Sequence, residues 1–341
     1  MEKRITLKDV AEKLGVSQNT VSVALRGGSG VSQELREQIV TVAGDMGYSS
    51  RRISTKASIL ICSTAENFGD TYFFSDLYRL LCAKIKARGG NTVTINLDAS
   101  LSPGEIDQVI YKNDICAIIL LGDSGKQLVT HFAGTKIPVI CCSFFYPDVP
   151  TDVVIEDNFA GTYLLMKHLY EHNYRKIGFI GNPNRYFSFF ERYMYFKSAC
   201  EHYALPVDPD ICIADLPLDE PIALENMVAR LRHLPYIPEA FLCADNRTAV
   251  LTIKALEEIG YSIPADIAVT GFDNNDLSRL STPAVTTIDT MIDLQAETVA
   301  TQLWRKINAG SADSVDCKRI CLPVHLVSGD SVDLEHRLSA E

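Results

Sequence analysis

The hydrophobic positions near the start of the chain have the spacing of a short amphipathic helix. Its apolar face is formed by Leu7, Val10, Ala11 and Leu14. These residues lie three or four positions apart, which is the period of an α-helix. Thr6, followed three residues later by Asp9, has the pattern of a capping box at the helix start, and Gly15 is placed to end the helix. The pattern therefore predicts a helix of about two turns.

Two more short helices are predicted directly after it. Ser17 can cap the helix QNTVSVAL, and Ser32 can cap a third helix that Gly47 ends. The buried stripe of the third helix is predicted to be Leu35, Ile39, Ala43 and Met46. The very short turn between the first two helices forces a steep crossing, which is the helix-turn-helix geometry. The face of the second helix that would enter a DNA major groove carries Gln18, Asn19, Ser22 and Val23.

From residue 58 onward, short apolar runs alternate with amphipathic stretches. SILICST, CAIILLGD and KIGFIGN have the pattern of buried strands, and residues 76–90 and 159–173 have the pattern of helices. This alternation predicts parallel sheets covered by helices on both faces. Because the pattern restarts near residue 159, we expect two α/β lobes with a ligand cleft between them, beyond the carboxyl ends of the strands.

The composition is that of a globular protein whose ends differ in charge. The 341 residues are 47% hydrophobic and carry a net charge of −11. Residues 1–56 have nine basic and six acidic side chains, a net +3, so the remaining 23 basic and 37 acidic side chains give −14. A basic end on an acidic body suits a protein that places one end on a polyanion.

The same composition predicts a cytoplasmic protein without a membrane segment. The start, MEKRITLKDV, lacks the apolar region of a signal peptide, and runs such as IPVICCSFFY are too short to span a bilayer. The ten cysteines are then expected to be reduced and to act as small buried hydrophobic side chains.

Motifs for enzymatic or metal chemistry are weak. His168 and His172 are spaced as in a zinc protease, but HLYEH has no glutamate after the first histidine. Cys317, Cys321 and His325 lie in a strand-like run, in which four residues span about 13 Å. That is too far for two of them to share a zinc ion at about 2 Å. We therefore expect no metal, no cofactor and no enzymatic activity.

Several long segments resemble the LacI/GalR family of bacterial transcription regulators. TLKDVAEKLGVSQNTVS and VSQELREQIVTVAGDMGY resemble the family's DNA-binding headpiece. HLYEHNYRKIGFIGN, SIPADIAVTGFDNNDLSRLSTPAVTTI and ICLPVHLVSGDSV resemble its effector-binding core, which has the fold of periplasmic sugar-binding proteins.

The resemblance implies three parts of the chain. Residues 1–48 would be a helix-turn-helix domain, 49–57 a short hinge, and 58–341 an effector-binding and dimerisation core with parallel sheets. Within the core, lobe 1 would comprise about 58–158 and 290–317, and lobe 2 about 159–289 and 318–341.

The resemblance also assigns DNA contacts. Gln18, Asn19 and Val23 occupy its base-reading positions. Its phosphate-binding positions are Thr6, Ser17, Thr20 and Ser22. Gln and Asn can pair with adenine, and Val can contact a thymine methyl group, so the residue types agree. In the shortened linker SSRRISTKAS, Arg51 and Arg52 are suited to phosphates or a narrow minor groove, and the family's usual hinge leucine is missing.

Effector-binding positions follow in the same way. They are Phe73 and Phe74 at the first strand-to-helix turn, Ser143 and Phe144 after the fourth strand, Arg192 at a helix start, Asp245 at a strand end and Asp273 in GFD. Apolar rings with a few charged groups suit a sugar or another small polar ring. We expect Arg192 and Asp273 to be charged groups in a solvent-filled cleft.

The sequence therefore predicts a DNA-binding transcription regulator, in the role of a repressor. It would act as a homodimer on a pseudo-palindromic operator and respond to a small-molecule effector, with a sugar as the expected class. A solute-binding protein and a cleft enzyme without DNA function are the alternatives, although the first would need export and no headpiece.

Overall fold

The computed structural model describes residues 5–25, 30–46, 57–65, 67, 72–97, 101–216, 223–309, 316–333 and 335. The chain forms two compact units. Unit 1 comprises Met1–Val154 and Ala296–Ile320, and unit 2 comprises Ile155–Gln295 and Cys321–Glu341. The chain thus passes from one unit to the other three times, after residues 154, 295 and 320.

The N-terminal part of unit 1 is a bundle of three short helices. They are α1 (Leu7–Leu14), α2 (Gln18–Leu25) and α3 (Gln33–Asp45). The predicted capping box is present, because the Thr6 side chain accepts from the Asp9 backbone and the Asp9 carboxylate accepts from the Thr6 N–H. Gly15 ends α1 with a φ of +66°, a left-handed conformation that glycine adopts without strain. The core of the bundle consists of Val10, Ala11, Val21, Ala24, Leu25, Ile39, Val40 and Ala43.

The rest of unit 1 is built on a sheet with the strand order β10-β5-β4-β3-β1-β2. The neighbouring pairs from β5 to β2 are parallel. The strands are β1 (Ser58–Thr64), β2 (Asn91–Leu97), β3 (Ile115–Leu121), β4 (Val139–Cys142), β5 (Asp152–Glu156) and β10 (Arg319–Leu322). The helices are α4 (Phe73–Ala87), α5 (Pro103–Lys112), α6 (Lys126–Ala133) and α12 (Ile292–Ala309). Near-continuous burial along β1 and β3 is typical of central parallel strands.

Unit 2 has a parallel sheet with the order β6-β7-β8 and a short antiparallel pair, β9 with β11. The strands are β6 (Ile177–Ile180), β7 (Ala240–Cys243), β8 (Ala268–Thr270), β9 (Thr287–Asp289) and β11 (His325–Val327). The helices are α7 (Asn158–Glu171), α8 (Phe187–His202), α9 (Ala223–His233), α10 (Asn246–Glu258) and α11 (Asp276–Leu280). Alternate residues of β7 enter two separate cores, one shared with α7 and α8 and one shared with α9 and α10. Helices therefore cover both faces of this sheet.

The predicted fold class, a helix-turn-helix headpiece followed by an α/β core with parallel sheets, is confirmed. The structure adds elements that the sequence pattern did not predict, notably strand β5 and helix α12. Within the described residues, no helix is both long and apolar enough to cross a membrane.

Candidate nucleic-acid interface and ligand-binding residues

The N-terminus of α2 is held in place by hydroxyl groups. The Ser17 Oγ accepts from the Thr20 N–H at 2.9 Å, and it also lies 2.8 Å from the Thr20 Oγ1. The turn before it is closed by the Val16 N–H, which donates to the Ala11 carbonyl at 3.1 Å. The start of α2 is therefore fixed, and its partial positive charge favours contact with phosphate groups.

One face of α2 is exposed and the opposite face enters the headpiece core. Gln18 and Asn19 are exposed, whereas Ser22 and Val23 are half-buried. The residues that face the core are Val21, Ala24 and Leu25. Amide side chains at the first two positions of a fixed helix can reach base edges in a major groove.

Arg36 stabilises the far end of α2, a role that the sequence did not suggest. This side chain of α3 is buried, and its Nη1 donates to the Ala24 carbonyl at 3.0 Å. The contact supplies a charged donor to one of the last carbonyls of α2, which have no partner within the helix. An arginine directly after Leu35, itself predicted to be buried, was the available sequence signal.

The remaining predicted DNA-binding residues are Thr6, Arg51 and Arg52. Thr6 is exposed at the start of α1, where its hydroxyl is bonded to the Asp9 carboxylate. Arg51 and Arg52 lie outside the described residues. The structure thus places Thr6 directly before α1, Ser17 in the turn between α1 and α2, and Gln18, Asn19, Thr20, Ser22 and Val23 on α2. Their DNA contacts remain predictions.

Four predicted effector-binding residues lie in unit 1. Phe73 and Phe74 begin α4, and their rings meet edge to face with centroids 5.1 Å apart. Phe74 packs at the carboxyl end of β3, where a Cβ atom on Gly122 would lie 3.0 Å from its ring. Ser143 and Phe144 follow β4 and are both buried. Ser143 has a φ of +63° and donates its backbone N–H to the Val154 carbonyl.

A tyrosine that the sequence analysis did not select lies next to these residues. The Tyr146 hydroxyl donates to the Asp123 carboxylate at 2.6 Å, and its ring packs edge to face on Phe144. Burial, together with the neighbouring carboxylate, raises the pKa of Tyr146. The carboxyl ends of β3 and β4 in unit 1 therefore carry aromatic rings and a neutral hydroxyl group.

The other predicted effector-binding residues, Arg192, Asp245 and Asp273, lie in unit 2. The Arg192 Nη1 donates to the Ala244 carbonyl at 2.7 Å, and its Nη2 lies 3.5 Å from the Asp273 Oδ1. Asp245 follows that carbonyl directly and caps α10 by accepting from the Thr248 N–H at 2.7 Å. The structure thus brings Arg192 and Asp273 together and places Asp245 beside them.

Arg192 and Asp273 form an ion pair but do not face solvent, contrary to the expectation of a solvent-filled cleft. Their side chains are only 3% and 9% exposed. The Arg192 guanidinium lies 3.6 Å from the centre of the Phe272 ring, and this close stacking excludes water from one of its faces. The guanidinium also contacts the Ala244 carbonyl after β7 and the Asp273 carboxylate after β8. The sequence alone could not place these groups next to Arg192.

Two further polar residues complete this cluster and were missed by the sequence analysis. The Asn158 Oδ1 accepts from the Arg192 Nε at 2.8 Å, and the Asn158 Nδ2 donates to Glu191 at 2.9 Å. Glu156 lies 3.4 Å from the Arg192 Nη2 and is 2% exposed. Glu156 ends a short apolar strand, so its only sequence signal was a carboxylate next to buried residues.

Metal ligation has little support in the part of the chain that the structure describes. No group of three or more His, Cys, Asp or Glu side chains is arranged there to hold a metal ion. The His168 and His172 rings do approach each other, with centroids 4.5 Å apart, and the His172 Nδ1 contacts the His168 carbonyl at 2.7 Å. Burial and the neighbouring His172 lower the pKa of His168. These contacts are explained by the end of helix α7.

Comparison with known protein families agrees with both parts of this geometry. A model of bacterial regulatory proteins of the lacI family matches residues 6–50, and a model of the periplasmic binding protein-like domain matches residues 166–332. The N-terminal helices are thus similar to lacI-family regulatory proteins, and the α/β core is similar to periplasmic binding protein-like domains. The three N-terminal helices described above lie within the residues that match the lacI-family model.

Individual members of the family match most of the chain. The HTH-type transcriptional repressor PurR of Actinobacillus pleuropneumoniae serotype 3 (strain JL03) is 28% identical over 294 residues, covering 83% of this chain and 85% of that protein. The lac repressor dimer bound to operator and the anti-inducer ONPF has a TM-score of 0.70 at 20% identity, covering 96% and 99%. The transcriptional regulator CelR in complex with cellobiose has a TM-score of 0.70 at 21% identity, covering 96% and 100%. At these identities the two structures show the shared fold.

Proposed function

We propose that this LacI-family chain is a transcriptional repressor that contacts the bases of its operator with α2. Binding of a small polar effector would either release the protein from DNA or promote its binding. The exposed amides of Gln18 and Asn19, at the start of a helix fixed by Ser17 and Thr20, carry this proposal. Gln and Asn each form two hydrogen bonds with adenine, and a good contact of this kind contributes about 1–3 kcal/mol of discrimination.

The other predicted DNA contacts have supporting roles. Val23 would contact a thymine methyl group. The hydroxyl groups of Thr6, Ser17, Thr20 and Ser22 would bind phosphates. Arg51 and Arg52 would add charge at the minor groove or the phosphates.

We assign separate functions to three parts of the chain, following the pattern of the family. We assign DNA binding to residues 1–48, the hinge to 49–57, and effector binding and dimerisation to 58–341. The PurR, lac repressor and CelR relatives are all transcription regulators, and the CelR structure contains a sugar. We infer that this chain likewise acts as a cytoplasmic homodimer on a two-fold operator, that its effector is a sugar or a related polar ring, and that it has no enzymatic activity.

The test is selection of a binding site from random-sequence DNA by the purified full-length protein. The wild type should enrich a two-fold symmetric site. The variant Gln18→Ala with Asn19→Ala should keep only weak, salt-sensitive binding, because phosphate contacts survive without base contacts. Gln38→Ala, an exposed amide on α3, is the matched control and should select the wild-type site. Enrichment of the wild-type site by the double variant would contradict the assignment of α2.

A further inference from the structure

The Glu156 carboxylate has one oxygen that its surroundings leave unused. Glu156 ends β5, and its side chain is 2% exposed. Its Oε1 lies 3.4 Å from the Arg192 Nη2 and 3.5 Å from the Asn158 Nδ2, both long for hydrogen bonds. Its Oε2 is buried and has no hydrogen-bond partner among the described residues. A buried carboxylate oxygen without a donor is costly, so such an atom calls for an explanation.

Arg192 cannot supply the missing donor, because its own donors point elsewhere. Its Nε donates to Asn158 at 2.8 Å and its Nη1 to the Ala244 carbonyl at 2.7 Å. Its Nη2 is shared between the Glu156 Oε1 and the Asp273 Oδ1. Most of the guanidinium donors therefore face acceptors of the protein itself, which makes Arg192 a poor receptor for a phosphate or carboxylate group of a ligand.

The net charge of the residues around Arg192 also disfavours an anionic ligand. Glu156 and Asp273 lie beside the Arg192 guanidinium, and Glu191 is linked to it through Asn158. Together these three carboxylates and one guanidinium have a net formal charge of −2. In a site with little water, charges interact strongly. An anionic ligand would be repelled, whereas a hydroxyl or ammonium group would be attracted.

We propose that the Glu156 Oε2 accepts a hydrogen bond from the effector, and that this cluster selects an uncharged or cationic ligand and excludes its phosphorylated or carboxylated counterparts. The shared chemistry of the accepted ligands is a hydrogen-bond donor, either a hydroxyl or an ammonium group. The inference rests on the proposed effector binding but does not depend on DNA recognition.

The first test measures the thermal shift of the purified full-length protein, without DNA, in matched sets of compounds. The sets are D-glucose, D-glucosamine and glucose 6-phosphate; D-ribose and ribose 5-phosphate; cellobiose and cellobionate; and cytidine and cytidine 5′-phosphate. We expect an uncharged or amine-bearing member to raise the melting temperature and its anionic counterpart to have no effect. A larger shift with any anionic member than with its parent, or no shift with any uncharged or amine-bearing member, would overturn the proposal.

The second test uses Glu156→Gln, which keeps the size of the side chain and removes its charge. Its affinity for the compound that binds the wild type should fall about tenfold or more, since a bond to a charged acceptor is lost. A ligand that binds through an ammonium group should lose more than one that binds through a hydroxyl, and the anionic counterpart should bind better than it does to the wild type. Wild-type selectivity in this variant would overturn the proposal.

The matched control is Glu201→Gln, which makes the same change at an exposed position of α8. It should leave every ligand response unchanged. The comparison within the wild type does not depend on whether a variant folds. Failure of the ligand tests alongside normal operator selection would refute this inference alone, whereas failure of operator selection would refute the proposed repressor function.

Discussion

Replacing Arg192 with methionine is expected to destabilise unit 2 strongly. The side chain is 3% exposed, and its removal would take away the cation that lies beside the buried Glu156 and Asp273 carboxylates. Removing one partner of a buried ion pair typically costs about 3–5 kcal/mol. For a unit of this size each kcal/mol lowers the melting temperature by about 2–4 °C, so the expected decrease is about 6–20 °C.

The assay is thermal unfolding of the full-length protein followed by circular dichroism, supported by urea titration at constant temperature. A second variant separates the charge effect from simple loss of packing. Arg192→Met combined with Glu156→Gln should be more stable than Arg192→Met alone, because one uncompensated carboxylate has been removed. Lys254→Met, an exposed cation on α10, is the control and should change the melting temperature by no more than about 2 °C.

Two results would refute this reasoning. A decrease of less than 2 °C for Arg192→Met would mean that the guanidinium is not an essential partner of the two carboxylates. The same change in melting temperature on introducing Glu156→Gln into the wild type and into Arg192→Met would mean that the two side chains do not interact.

Three further predictions concern other parts of the chain. Arg36→Met should lower the stability of the headpiece by about 1–3 kcal/mol, measured by urea unfolding, because it removes a buried charged donor from the end of α2. Arg51→Ala with Arg52→Ala should weaken binding to all DNA sequences and reduce the salt slope of the affinity by about two, measured by fluorescence anisotropy at several salt concentrations. Gly161→Ala should lower the melting temperature, since its new Cβ would lie 2.4 Å from the ring beneath the Arg192 guanidinium, whereas Gly104→Ala, with open space around it, should not.

The headpiece could be predicted almost residue by residue because its signals are local. The caps at Thr6, Ser17 and Ser32 and the glycine after α1 act within three or four positions of the chain. Arg36 was not selected, because its bond to Ala24 joins two helices across twelve positions and has no local pattern.

The α/β fold class of the core could be predicted from the sequence. The set of polar residues that contact Arg192 could not. Strand β5 has only five residues, all buried, which is too short to distinguish from other apolar runs. Arg192 and Asp273 were selected through the family resemblance, but their depth of burial was not expected. Glu156 and Asn158 reach Arg192 only after the chain has folded, because they lie more than thirty positions away from it.

The division of unit 1 into two stretches has a consequence for its synthesis. Its sheet gains the edge strand β10 only when Arg319–Leu322 has been made, after all of residues 155–295. At about 5–20 residues per second, translation of that intervening stretch takes roughly 7–30 s. The headpiece is a continuous segment and can fold on the ribosome during this interval. The edge of β5 that later pairs with β10 stays unpaired over the same time. Nascent chains are thus expected to carry a finished DNA-binding domain well before the core that regulates it.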